Sequence, residues 1–169
     1  MSFCQSFPPS VDRHSRILCL GSMPGEESLR QQQYYAFRHN AFWRLTGKIF
    51  AFAPETPYPQ RLAALLAQGI ALWDVLACCE RSGSLDGNIR LPQPNDIPRL
   101  LQSFPGIKKI CCNGSTAGKY LRRFFPSLAG MAVILPSSSP AAARLSFEEK
   151  LRLWQQELAP AKTPPRAGQ

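Results

Sequence analysis

Small polar residues that could hold a substrate gather in four stretches: GSMPGEES (21–28), CERSGSLDGN (79–88), NGSTAG (113–118) and PSSSPA (136–141). Spacing excludes several chemistries at once. In NGSTAGK, Gly114 and Gly118 have three residues between them and Tyr120 follows Lys119. A phosphate-binding loop needs four residues there and Ser or Thr after the Lys. GSMPG is not the dinucleotide fingerprint G-x-G-x-x-G either. A serine hydrolase has little support: Ser22 lacks the G-x-S-x-G elbow. Ser137, Ser138 and Ser139 have no evident base, the histidines being His14 and His39 alone. The six cysteines, Cys4, Cys19, Cys78, Cys79, Cys111 and Cys112, form no C-x-x-C. Adjacent strand residues point to opposite faces, so a Cys-Cys pair serves one metal poorly. We read them as small core hydrophobes and expect neither metal nor cofactor.

The elements that position these loops follow from apolar patterning. Residues 16–20 (RILCL), 70–78 (IALWDVLAC), 109–112 and 131–135 (MAVIL) read as strands. Helices are predicted over 59–68, over 95–104 with Asn95 as cap, and over 116–125. Helical spacing also marks 40–52, and residues 80–94 read as a long loop. Ser146-Phe147-Glu148-Glu149 is a capping box, after which Leu151, Trp154 and Leu158 mark a buried face. Alternating strands and helices imply an α/β fold with a parallel sheet covered on both faces. Ligands in such folds bind outside the carboxyl ends of the strands, which is where the four polar stretches fall.

At 169 residues the chain is sized for one domain. We expect an N-terminal extension over 1–15, a catalytic domain over 16–159 and a disordered tail over 160–169. The formal charge of +9 favours a polyanionic partner. Lys108, Lys109, Lys119, Arg122 and Arg123 are candidate phosphate contacts, or simply a solvated face. No apolar run is long enough for a membrane span, and the N-terminus lacks the features of a secretory signal. A cytoplasmic protein is expected.

Residues 21–43, GSMPGEESLRQQQYYAFRHNAFW, resemble motif 1 of the uracil-DNA glycosylase superfamily. The nearest pattern is that of the hypoxanthine (deoxyinosine) DNA glycosylase branch, GSMPG-x-x-SL followed by QYYAHPRN-x-FW. LPSSSPA (135–141) resembles that branch's second motif, LPSTSPA. GIALWDVL (69–76) and GSLDGNI (83–89) are similar to its middle segment. The resemblance implies a three-layer α/β/α sandwich around a four-stranded parallel sheet. It implies a DNA glycosylase of base excision repair, acting without metal or cofactor on damaged DNA; no catalytic Lys is evident, so a monofunctional enzyme is expected, and a monomer. The base is flipped out, its N-glycosidic bond is hydrolysed and an abasic site remains.

Carried onto this chain, the resemblance makes Tyr35 the platform for the flipped base; the alternative is a core aromatic beside Phe42 and Trp43. Asn40 is the catalytic candidate, positioning water or the departing base; the alternative is a helix cap. Gly21, Pro24 and Gly25 let the loop approach the nucleotide, and Ser22 and Ser28 donate to it or cap turns. Met23 stands where other branches carry Asp or Asn, which argues against strong uracil activity. Asn113 contacts the base edge or caps the next helix, and Ser137, Ser138, Ser139 and Pro140 grip the DNA backbone. Phe37-Arg38-His39 departs from the branch pattern, and His39 is a possible assistant. Asp74, Glu26 and Glu27 are fallback bases. The alternatives are a uracil or mismatch (G:U, G:T) glycosylase, a non-catalytic DNA-damage binder and a small-molecule hydrolase.

Overall fold

A computed structural model describes residues 1–159. The expected tail, 160–169, lies outside the described residues. Four parallel strands, β2 (Ile17–Gly21), β3 (Ile70–Asp74), β6 (Lys109–Asn113) and β7 (Ala132–Leu135), form one sheet in the order β3-β2-β6-β7. The α/β/α sandwich expected from the sequence is therefore present. Side chains alternate across the sheet with the two-residue strand period. Ile17, Cys19, Ile70, Leu72 and Cys111 face one core with Leu45, Leu65 and Trp154. Leu18, Leu20, Ala71, Ile110 and Cys112 face the other with Ile97, Leu100 and Leu121. Helices α2 (Phe42–Phe50), α3 (Tyr58–Ala67) and α6 (Phe147–Leu158) close the first core; α4 (Ile97–Ser103) and α5 (Ser115–Phe124) close the second. A fully buried leucine such as Leu18 or Leu72 contributes about 2 kcal/mol. The six cysteines are free thiols and five are buried, as core residues should be.

Three expectations need correction. The run 70–78 is two strands rather than one. After Asp74 the chain leaves the parallel sheet, and β4 (Leu76–Arg81) enters a second, antiparallel sheet between β1 (Ser2–Gln5) and β5 (Arg90–Pro94). Val75 and Leu76 donate their N–H groups to Gly21 O and Ser22 O, which fixes the crossover. Residues 80–94 are correspondingly not all loop, since they include β5 (Arg90–Pro94). The expected N-terminal extension, 1–15, is not among these corrections; it carries β1 (Ser2–Gln5), paired with β4, and Ser10, bridged to Leu72. Lastly, α4 is capped by Asp96 rather than Asn95. The Asn95 amide is instead spent on the carbonyls of Asp74 and Leu76, bracing the crossover. The capping box at Ser146 and Glu149 forms as expected.

Candidate active site

A cavity of about 830 Å³ opens at the carboxyl ends of the parallel strands. All four polar stretches contribute to its wall: 21–28, 84–88, 113–116 and 137–142. Tyr35, Asn40 and Asp74 line it as well.

The segment carrying Tyr35 is held from several sides. It follows α1 (Glu26–Gln31), whose buried Ser28 accepts the Ala36 N–H on its Oγ at 3.0 Å. Trp43 Nε1 donates to Tyr34 O, and Tyr34 Oη donates to Pro8 O. These bonds hold Tyr35 in the left-handed region at φ 55°, an uncommon place for a bulky side chain. Its ring stacks on Phe42 at 4.0 Å between centroids, tilted by 22°. Phe42 is fully buried, so one face of Tyr35 has a rigid backing. The two readings of Tyr35, platform and core aromatic, thus describe one residue: anchored by the core and present in the cavity wall.

Asn40 also combines its two readings. Its Oδ1 accepts the Phe42 N–H at 2.9 Å, at the start of α2. That bond fixes which amide atom is oxygen and leaves Nδ2 without a partner among the described residues. Oδ1 keeps a second lone pair for a water proton.

Asp74 ends β3 beneath the 21–25 loop. Its carboxyl is buried and is pushed up to about 7, by desolvation first and the Asp86 charge second, against the opposing pull of Arg81. Gly21 makes this packing possible: a Cβ there would lie 2.5 Å from Asp74 Oδ1 and 3.2 Å from Tyr35 Oη. The Tyr35 hydroxyl makes no hydrogen bond of ordinary geometry. Burial and then the Asp74 charge push it up, with the Asn113 amide acting the other way.

The 136–142 loop is pinned at both ends by α6. Trp154 Nε1 donates to Pro136 O at 2.9 Å and Lys150 Nζ to Ala142 O at 2.7 Å. Between these pins, Ser138 is buried and bonded to Asn113, and its carbonyl accepts the Ala41 N–H. Ser137 Oγ accepts the Ser139 N–H, while Pro140 is exposed at the rim. The Asn113 amide is committed to this loop.

On the opposite rim, Ser22 Oγ donates to Asp86 at 2.8 Å, and Ser84 Oγ accepts the Glu26 N–H. Arg81, buried beneath, donates to Gly83 O and Pro24 O and so ties the 82–89 loop to the 21–25 loop. Composition alone did not single out Arg81, Ser84, Leu85 or Asp86. Leu85, 60% exposed in the cavity wall, is the most conspicuous of them. Its sequence signals were its place in the polar stretch 79–88 and in GSLDGNI.

The other candidates are engaged within the wall or lie outside it. Met23 reaches the wall, but packs with Cys4, Leu76, Cys79 and Ile89 in a small core under the second sheet. His39 is exposed outside the wall, accepting from Arg38 and edge-on to Phe37. Glu27 is engaged by Arg30 and Gln31. Lys108 and Lys109 sit at the opposite end of β6 from the cavity, and Lys109 is paired with Glu157. They are therefore removed from the candidate phosphate contacts, while Lys119, Arg122 and Arg123 remain exposed on or beside α5. Among the described residues no group of three or more His, Cys, Asp or Glu side chains is arranged to hold a metal ion. No helix there is long and apolar enough to cross a membrane.

Comparison with known proteins places this geometry. The model of a family described as the uracil DNA glycosylase superfamily matches residues 8–159. A protein of Methanosarcina acetivorans named hypoxanthine DNA glycosylase is 40% identical over 146 residues, covering 84% of this chain and 90% of its own. Its namesake from Methanosarcina barkeri is 38% identical over 154 residues, covering 89% and 94%. The solution NMR structure of a candidate uracil DNA glycosylase from Methanosarcina acetivorans superposes with a TM-score of 0.81 at 37% identity. That match covers 93% of this chain and 97% of the other.

Proposed function

The chain belongs to the uracil DNA glycosylase superfamily, and from that premise we propose that it excises hypoxanthine from deoxyinosine in DNA. The observation that carries the reading is the cavity: a rigidly backed Tyr35 and the Asn40 amide share one pocket at the strand ends. A purine in duplex DNA cannot reach such a pocket unless its nucleotide is flipped out. The Tyr35 ring, backed by Phe42, is then the stacking platform.

Hydrolysis forms a bond from water oxygen to C1′ and breaks the C1′–N9 bond, whose electron pair leaves with the base. The base gains a proton and the water loses one. Asn40 is the residue we assign to that water. With one lone pair engaged by Phe42 N–H, Oδ1 accepts a water proton and aims the oxygen toward C1′. An amide is a weak base, which suffices when C1′ has become oxocarbenium-like before attack. The backbone at Gly21 and Gly25, and the α6-pinned 136–142 loop, flank the strand that carries the nucleotide. The proposal includes action as a monomer in the cytoplasm, both of which rest on the sequence alone.

The test is base release from matched duplexes carrying one deoxyinosine, deoxyuridine, deoxyxanthosine or normal base, with abasic sites revealed by heat and alkali. Release from deoxyinosine that falls by about 100-fold or more in Asn40→Ala supports both assignments. DNA binding with no release from any lesion would instead identify a damage-binding module.

A further inference from the structure

Among the described residues, three buried side-chain polar atoms have no hydrogen-bond partner: Tyr35 Oη, Asp74 Oδ2 and Arg81 Nη1. Two of the three belong to residues of the cavity wall. Buried polar atoms in folded proteins are almost always paired, so the unpaired Asp74 Oδ2 beside the cavity points to a ligand. Asn40 Nδ2 is also free among the described residues, but Asn40 is assigned to the water; the other amides and acids of the wall are occupied or exposed. Asn113 is spent on Ser138, Asn40 Oδ1 on Phe42 N–H and Asp86 on Ser22. Glu27 is held by Arg30, and Glu26 is exposed.

We propose that Asp74 reads the Watson–Crick edge of the flipped base, its carboxylic acid form donating from Oδ2 to O6 while Oδ1 accepts N1–H. This rests on the glycosylase reading and names the specificity residue of the same site. Hypoxanthine presents an N–H donor beside a carbonyl acceptor. A neutral carboxyl group carries the complementary acceptor and donor on adjacent atoms, closing a ring of two hydrogen bonds. As the C1′–N9 bond breaks, its electron pair spreads into the purine and in part onto O6. The hydrogen bond from Oδ2 therefore strengthens during the reaction, as electrostatic catalysis requires. Stacking on Tyr35 would hold the ring in plane with the acid.

The charged and titratable groups that act on Asp74 are Asp86 from the 82–89 loop, Arg81 from β4, Tyr34 and Tyr35 from the 32–41 segment, and Tyr58 from α3. Desolvation and Asp86 favour the neutral acid, and Arg81 opposes them.

Single-turnover release would be measured from pH 5 to 9 for wild type, Asp74→Asn and Asp74→Leu. Matched duplexes would carry deoxyinosine or deoxynebularine, a purine lacking both O6 and N1–H. Melting curves and binding to a duplex with a tetrahydrofuran abasic analogue would run as folding controls. Asp74→Leu is expected to lose about 100-fold on deoxyinosine but to be little changed on deoxynebularine. Asp74→Asn, which carries donor and acceptor without a titrating proton, should lose far less on deoxyinosine than Asp74→Leu and should lack the alkaline decline expected of wild type near pH 7. Equal losses on the two bases would mark Asp74 as structural and overturn the proposal. So would an unchanged pH profile in Asp74→Asn, or full activity in Asp74→Leu. A folded wild type inert on every duplex would instead remove the glycosylase reading, and this assignment with it.

Discussion

Asn113 and Ser138 grip each other twice. Asn113 Nδ2 donates to Ser138 Oγ at 2.8 Å, and the Ser138 N–H donates to Asn113 Oδ1 at 2.9 Å. The pair joins the end of β6 to the loop leaving β7, two segments that both line the cavity. Asn113 therefore shapes the site by holding a loop, and its amide has little left for a base edge.

Asn113→Ala strands two polar groups of the buried Ser138, its N–H and its hydroxyl. Leaving such groups unpaired costs about 1–3 kcal/mol each before relaxation. A drop in thermal midpoint should accompany a rise in KM for deoxyinosine duplexes, with kcat less affected. A collapse of kcat at unchanged KM would contradict a loop-holding role. Asn113→Asp should spare the bond to Ser138 N–H and lie between the two.

Some of this geometry was legible in the residues and some was not. The parallel strands announced themselves because each is a short apolar run followed by small polar residues, and parallel sheets place ligand loops at those ends. The crossover at Val75 did not. Residues 70–78 are apolar almost throughout and contain neither Gly nor Pro, so periodicity does not reveal that β3 ends at Asp74 and β4 begins in another sheet. The break is made by backbone bonds to Gly21 and Ser22, distant in sequence. Strand β1 was hidden for a similar reason: four residues carry no period, and pairing with β4 alone defines them. At the cap of α4, Asn95 and Asp96 are chemically equivalent candidates, and the choice fell to tertiary demand for the Asn95 amide. Within the site, Tyr35 and Asn40 were found by motif. Arg81 and Asp86 matter through partners that only folding brings near.

Tyr35 separates platform from hydroxyl. Its Oη is buried without a partner, so Tyr35→Phe removes an unsatisfied group and keeps the ring stacked on Phe42. The variant should be as stable as wild type or more so, with release within a few-fold. Tyr35→Ala should lose about 1–3 kcal/mol of stacking with the base. Comparing single-turnover release with melting curves checks both; a large activity loss in Tyr35→Phe would assign the hydroxyl a direct role.

Gly21 is a test of close approach. Its added Cβ would meet Asp74 Oδ1 at 2.5 Å, and the carboxyl has little room to retreat because it is buried. Gly21→Ala should cost about 1–3 kcal/mol through overpacking and displace Asp74 and Tyr35 together. Deoxyinosine release should fall more than the melting temperature suggests. Wild-type release in this variant would show that the wall tolerates a shift.

Asp74 also makes stability depend on pH, in a direction set by its raised pKa. Below about pH 4 the acid is protonated in the folded and unfolded chain alike, and burial carries no charge penalty. Between there and about 7, the folded state keeps a proton that the unfolded chain has released. Stability from this group therefore falls as pH rises through that window, and above it the full penalty applies. The width of the window sets a ceiling of about 4 kcal/mol on that penalty. Asp74→Asn carries no such proton. Its melting temperature relative to wild type should accordingly climb from pH 4 to pH 8 and then level off. Denaturation curves at fixed ionic strength measure the difference directly. A difference that stays flat across the window, or that shrinks with rising pH, would mean that Asp74 is ionised in the folded protein with its charge compensated by Arg81.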